Sequence, residues 1–374
     1  MSRWTAGLIV AAAVMAWAAS RPEDIAFERQ MIDPGASETL AVTDINGDGK
    51  PDLVSGEYWY EGPKWTKHRF RSIDFLNNYV DVFSDLAMDV NGDGHVDVVS
   101  CSWFSKKLWW NENPGKGAGM WKEHAIESRS PVEFAFLVDV DNDGKAREVL
   151  PEFGDTKMPL TWYEAKNGEF VGHAIAEKSY GHGIGAGDVN HDGRTDILTP
   201  KGWFEAPADP RAGNWTFHPD FDLGETGFIH VMDVNGDGRP DLVTSMAHNY
   251  GIFWVEQTAE GKWVKHMIDS SWSQGHSLVL ADVNGDGRLD ILTGKRFMAH
   301  NGNDPGEREP LGIYWYETLK TEKGTIEWVK HVIDYGGRAG AGMQITAAKL
   351  EGHAYPEILS AGKSGLFLFR RAVK

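Results

Sequence analysis

The sequence predicts an all-β chain folded as a seven-bladed β-propeller of four-stranded blades. Three observations predict it: an acidic loop of the form DxNxDGxxD recurs along the chain, its copies start about 45 to 50 residues apart, and each copy is followed by the same succession of strand-like segments. That period is the length of a propeller blade, and blades bury by stacking the faces that each alone would leave in water. The 374 residues are therefore read as a short leader, residues 1–20, followed by a single propeller domain, residues 21–374.

Regular copies of the acidic loop start at Asp44, Asp89, Asp188, Asp233 and Asp282, with a modified copy at Asp139. Oxygen-bearing side chains at every second position suit a hard cation such as calcium, and the glycine permits the positive-φ turn that points them inward. Side chains at the first, third, fifth and ninth positions, with the seventh residue's carbonyl, are the expected ligands. In order these are Asp44, Asn46, Asp48, Lys50 and Asp52; Asp89, Asn91, Asp93, His95 and Asp97; Asp139, Asp141, Asp143, Lys145 and Glu148; Asp188, Asn190, Asp192, Arg194 and Asp196; Asp233, Asn235, Asp237, Arg239 and Asp241; and Asp282, Asn284, Asp286, Arg288 and Asp290. Up to six Ca2+ sites are expected. The third loop departs most, because Arg147 stands at its ninth position and Glu148 one residue later. An EF-hand needs a twelfth-position glutamate and flanking helices, whereas Ser55, Ser100, Thr199, Thr244 and Thr293 stand there within β-branched runs. The competing reading is an acidic turn held by Asx bonds without a metal.

After each loop comes a β-branched strand, then an aromatic strand ending in glutamate, as at Trp59 to Glu61, Trp162 to Glu164 and Trp315 to Glu317. A further strand carries WxxH, as at Trp65 to His68, Trp121 to His124 and Trp263 to His266. With the strand that enters the loop, each period holds four strands. A seventh copy spans Lys349 to Glu357, with Lys349 and His353 at ligand positions, so it should keep the blade and lose the metal. The chain then ends before another WxxH strand, while Phe27 to Asp33 matches Trp263 to Asp269. The N-terminal strand should therefore complete the last blade and close the ring.

The register assigns the repeated histidines and tryptophans to structure and isolates residues that do not repeat. Six residues before each loop, at one mouth of the channel, stand Glu38, Phe83, Glu133, His182, Gly227, His276 and Met343. Two carboxylates and two imidazoles in one ring would bind a further divalent metal or share acid and base duties, which makes Glu38, Glu133, His182 and His276 candidate catalytic residues. Their alternative role is to line a wet channel. Links on the same face add Tyr79, Asp85, Trp103, Tyr180, His248, Asn249, Tyr250, Trp272, Lys295, Arg296 and His300. Aromatic rings among amides and charges suit a sugar, whose apolar face stacks and whose hydroxyls hydrogen-bond. The insertion from Phe297 to Pro310 is either a lid over the channel or a tolerated surface loop.

Arg3, the apolar run from Trp4 to Ala19 and its small-residue exit read as a secretory signal peptide, so a secreted or periplasmic location is expected, with no membrane attachment after cleavage. The formal charge of −18 is concentrated in the acidic loops, and no basic cluster offers a nucleic acid a surface. Cys101 is the single cysteine, expected to pack in a strand, and calcium would supply the stiffening that disulfides cannot.

The acidic loops and their strands resemble the FG-GAP or VCBS repeats of integrin α-subunit propellers and of many exported bacterial proteins. That resemblance implies the propeller fold and calcium, and little about activity. The strand pattern, with WWNENPG at Trp109 to Gly115 and GHSLVLADVNGDG at Gly275 to Gly287, is also similar to the propeller portion of fungal aldos-2-ulose dehydratase. The expected function is a monomeric calcium-stabilised propeller binding a carbohydrate at its axial cleft. The alternatives are a sugar lyase or dehydratase working by β-elimination, with His182 or His276 as base and Lys295 or Arg296 stabilising the enolate, and an adhesion propeller that binds a protein.

Overall fold

β-Strands carry nearly all the regular structure, and one 3-10 turn, Pro210–Ala212, is the sole helical element among the described residues. The computed structural model describes residues 22–321, 325–350 and 352–372, so the expected signal peptide and Glu351 of the seventh loop lie outside the described residues. The strands form sheets of antiparallel meanders in a β-propeller arrangement. Four-stranded sheets cover residues 41–69, 84–127, 132–176 and 278–335. Another joins Ile345–Ala348, Glu357–Gly362 and Gly365–Arg371 to the N-terminal strand Phe27–Asp33, which sets Phe27 opposite Arg371 and Met31 opposite Phe367. Residues 184–273 form an eight-stranded sheet in which two meanders meet through the parallel pair Ile184–Gly187 and Phe228–Met232. Glycine allows this close approach, since a Cβ at Gly185 would lie 1.9 Å from the carbonyl oxygen of Ile229.

Each second strand is buried along its whole length, as in Asp52–Ser55, Asp97–Cys101 and Asp290–Gly294, because neighbouring strands and sheets cover both faces. Cys101 is a buried free thiol, as its strand-like setting implied. The ninth-position carboxylates open these strands; Asp52, Asp97, Asp196 and Asp241 each bind backbone on both sides, and Asp290 binds Val283 N. Asp52 accepts from Ile45 N at 2.9 Å and Gly62 N at 2.8 Å, and Asp97 accepts from Val90 N at 3.0 Å and Asn113 N at 2.8 Å. Glu357 makes the same bond to Leu350 N at 3.0 Å, so the seventh copy keeps this staple without the regular ligand pattern.

The WxxH histidines stand directly opposite the tryptophan of the preceding strand and stack on it. His68 lies 4.2 Å from Trp59, His124 4.3 Å from Trp110 and His331 4.0 Å from Trp315 between ring centroids. The glutamate that ends the aromatic strand takes the outer ring nitrogen, at 2.9 Å for His68 with Glu61 and 2.7 Å for His124 with Glu112. A repeated Trp–His–Glu stack thus finishes the exposed side of these sheets. These histidines serve the blade, as the register implies, but from its surface rather than its core: His68, His124, His218 and His266 remain part-exposed, and only His331 is fully buried.

Candidate functional site

Each acidic loop is wound by its own backbone amides. In the first, Asp44 Oδ1 accepts from Gly47 N and Asp48 N, its Oδ2 from Gly49 N, Asn46 Oδ1 from Asp48 N, and Asp48 Oδ1 from Lys50 N, all at 2.8 to 3.1 Å. The other regular loops repeat this winding, with Gly47, Gly92, Gly236 and Gly285 in the left-handed region where a side chain would be strained. The donors are hard oxygens throughout, so the residues fit calcium chemically. In the third loop single carboxylate oxygens of Asp139, Asp141 and Glu148 lie within 4.8 Å of one another. Glu148, one residue late in sequence, takes the staple position by accepting from Val140 N at 3.0 Å. The seventh-position side chains turn back onto the loop: Arg194, Arg239 and Arg288 pair with Asp192, Asp237 and Asp286.

At the other end of the inner strands lies a cavity of about 430 Å3 lined by Asn77, Tyr79, Phe83, Trp103, Phe104, Glu133, His182, Glu225, His248, Arg296, His300 and Asp304. Glu133 and His182 project where the entering link meets the inner strand, which places them on the face away from the acidic loops. His182 Nδ1–H donates to the carbonyl of Thr226 at 3.0 Å, and its Nε2 lies 2.8 Å from Glu133 Oε2 and 2.7 Å from His248 Nε2. His248 Nδ1–H donates to Asp304 Oδ2 at 3.0 Å, and His300, stacked on His248 at 4.3 Å, shares that carboxylate. His276 is wholly buried against this group, its Nε2 3.8 Å from Glu133 Oε1, and neither ring nitrogen has a hydrogen-bond partner.

Arg296 sits beneath. Its guanidinium takes both oxygens of Glu38 at 2.8 and 2.9 Å and Glu133 Oε1 at 3.2 Å, and all three side chains are buried. Burial alone would raise the Glu133 carboxyl, but the charges of His182 and then Arg296 hold it well below the ordinary range. Burial likewise opposes a charge on His182, yet Glu133 overrides it and raises that imidazole to about 9. Burial, then the charge of His182, pushes His248 down to about 4. Burial, then the charge of Arg296, lowers His276 well below its usual value. Glu152, buried with one oxygen unpartnered, is raised by desolvation to about 8. The cluster therefore holds an imidazolium beside two neutral imidazoles at neutral pH.

The structure brings together Glu38, Glu133, His182, His248, His276, Arg296 and His300, with Tyr79 and Trp103 on the same cavity. Other expected residues lie elsewhere. Trp272 is packed in the core with its indole N–H on Tyr316 Oη at 2.8 Å. Asp85 is consumed by Arg71 at 2.7 Å, Ser100 and Thr39. Lys295 is fully buried with its ammonium on Ser273, so it has no route to an enolate. Tyr180 packs on Phe204 and Phe217, Tyr250 donates to Glu309 at 2.6 Å, and Asn249 caps the amide of Tyr250; none lines the cavity. Glu38 is locked to Arg296 and unavailable as a base. Asp304, Asn77, Phe104 and Glu225 were not anticipated. Of the aromatic pair Trp103-Phe104 the sequence singles out only Trp103, and Asp304 stands in the insertion for which it offers only a lid or a surface loop.

A β-propeller with acidic repeat loops is the class that fold and loops define. Residues 89–146 and 211–293 match the model of the FG-GAP-like repeat, and residues 37–63 match that of the FG-GAP repeat, so these segments are of the FG-GAP repeat type. No curated protein matches the chain. Among solved structures, the chain is similar to BBS1N in complex with ARL6DN from a lead-soaked crystal, at TM-score 0.56 and 10% identity over 93% of this chain and 97% of that one. It is also similar to rhamnogalacturonan lyase YesW, at TM-score 0.50 and 12% identity over 93% of this chain and 74% of that one. At such identities the likeness concerns the fold alone.

Proposed function

We propose that this is an exported propeller of seven four-stranded blades, stiffened by calcium in its acidic loops, whose axial cleft binds a carbohydrate. The count of seven is supported by the two meanders within the eight-stranded sheet, and ring closure by the pairing of Phe27–Asp33 with the last strand. One observation carries the ligand: a single cavity combines the rings of Tyr79, Phe83, Trp103 and Phe104 with fixed donors and acceptors on His182, His248, Arg296 and Asp304. Aromatic faces take the C–H surface of a sugar and the fixed polar atoms read its hydroxyls. The Arg296 charge is already matched by Glu38 and Glu133, so the cleft has no surplus positive charge for an acidic sugar and favours a neutral one. Calorimetric titration of neutral and acidic oligosaccharides at fixed calcium tests this. A neutral glycan should bind, and Trp103→Ala should weaken it at least about tenfold, the scale of one stacking ring. Absence of any glycan affinity, with retention of a protein partner, would favour the adhesion role instead.

One observation favours a second reading, a carbon–oxygen lyase. His248, neutral and oriented by Asp304, adjoins a protonated His182, which is the split of base and acid that β-elimination needs. In that role His248 Nε2 removes the proton next to a carbonyl, the carbon–oxygen bond β to it breaks, and the departing oxygen takes a proton from His182. This moves the base from His182 or His276 to His248. Keto-sugars and uronic-acid polymers should then yield an unsaturated, ultraviolet-absorbing product that His248→Gln abolishes without unfolding the protein. No product from that panel rejects the reading.

A further inference from the structure

We propose that His182, His248 and His276, together with Glu133, form a site for one transition-metal dication of the zinc type, distinct in chemistry and position from the acidic loops. One ring nitrogen of each histidine lies within 4.8 Å of the others. Two of the rings are fixed from behind, His182 by the Thr226 carbonyl at 3.0 Å and His248 by Asp304 at 3.0 Å, and both therefore turn Nε2 into the same space. Carbonyl or carboxylate support of the far nitrogen is the outer arrangement that orients imidazoles toward a metal. Glu133 is held in turn by Arg296, with Oε2 2.8 Å from His182 Nε2 and Oε1 3.8 Å from His276 Nε2.

The third histidine carries the inference furthest. His276 has no exposure and neither ring nitrogen has a hydrogen-bond partner, although buried polar atoms are rarely left so. A proton shared between His182 and His248 accounts for their 2.7 Å approach, but it gives His276 nothing. A metal accounts for both. Three imidazoles and one carboxylate select zinc, iron, copper or nickel, whereas calcium and magnesium prefer all-oxygen sets such as the acidic loops. Where the cavity meets His182 and His248, a hydroxyl or carbonyl oxygen of a ligand would add a fifth ligand, an expansion that zinc allows. The site stands whether or not that ligand is a sugar.

The test uses the full chain stripped of metals and then saturated with calcium, so that oxygen sites are filled before zinc alone is titrated. One tight zinc equivalent is expected, and cobalt in its place should show the visible bands of a nitrogen-and-oxygen site. His276→Gln and His248→Gln should each weaken zinc by at least about 100-fold, since inner ligands matter no less than the outer ones. His266→Gln, in one of the repeated stacks, should leave binding unchanged. If His276→Gln does not fold, His248→Gln decides, because His248 lies at the cavity rather than in the core. A folded wild-type protein that takes no zinc equivalent, or folded variants that bind it as tightly as wild type, overturns the proposal.

Discussion

Replacing Arg296 with methionine should destabilise the protein by about 3–5 kcal/mol, the cost of removing one partner from a buried ion pair. Methionine keeps much of the apolar stem, so the loss falls on the guanidinium and its three bonds to Glu38 and Glu133. Both carboxylates are buried, and after the change Glu133 keeps only its contact with His182 while Glu38 keeps only the more distant charge of Lys363. A second substitution, Glu38→Gln, should recover part of the loss because an amide needs no counter-charge, and a double-mutant cycle gives the coupling directly. Thermal unfolding at fixed calcium is the assay. One kcal/mol moves the midpoint by about 2–4 °C in domains of 150–250 residues and by less in a larger one, so a fall of roughly 5–15 °C is expected. A fall worth less than about 1 kcal/mol, or a double variant no more stable than Arg296→Met, would refute the view that these carboxylates depend on Arg296.

Glu152 gives a pH prediction with a definite sign. Burial raises its folded carboxyl to about 8 from an ordinary 4.5, so the folded state holds that proton longer and the associated stability is lost as pH rises from about 4.5 through 8. Glu152→Gln, which mimics the protonated acid, should flatten the stability–pH profile between about pH 4.5 and 8 by up to a few kcal/mol; parallel profiles for the two proteins would reject this. Chelating calcium should lower the melting transition, because clustered loop carboxylates then lack a counter-ion, and an unchanged transition after exhaustive chelation excludes calcium-filled loops. His266→Ala, which uncovers Trp254 and frees Glu256, should cost about 1 kcal/mol in denaturant unfolding while leaving binding at the axial cleft intact.

Much of this was legible in the sequence because a blade repeats its reasons. Position nine of each regular acidic loop opens a buried strand, and WxxH returns at a fixed place in the blade, so spacing placed both elements; that the histidine stacks on the tryptophan one strand back came from the structure. The same register set Glu133, His182 and His276 at equivalent points of different blades, which is why they meet. What the repeat could not place were side chains whose neighbours come from loops of unequal length. His248 and Asp304 arrive from separate links and complete the cluster, yet neither has an equivalent elsewhere. Trp272 misled because the strand Trp263–Ser273 runs longer than its counterparts and carries the indole inward. Lys295 and Arg296 are adjacent and equally basic, but alternation along an extended chain sends one to Ser273 and the other to the channel.

The insertion at 297–310 crosses to the opposite side of the mouth, where Asn301 meets Asn77 and Asn78 side chains at 3.4 and 3.0 Å and the Met298 carbonyl accepts from Lys363 at 2.8 Å. It also delivers Asp304, the acceptor that keeps the proton of His248 on Nδ1. Loop position and imidazole tautomer are therefore thermodynamically linked: whatever holds the loop across the mouth also favours a lone pair on His248 Nε2, and any occupant that uses that lone pair holds the loop in return. The two Asn301 contacts at the rim and the proton on the central ring thus belong to one chain of interactions.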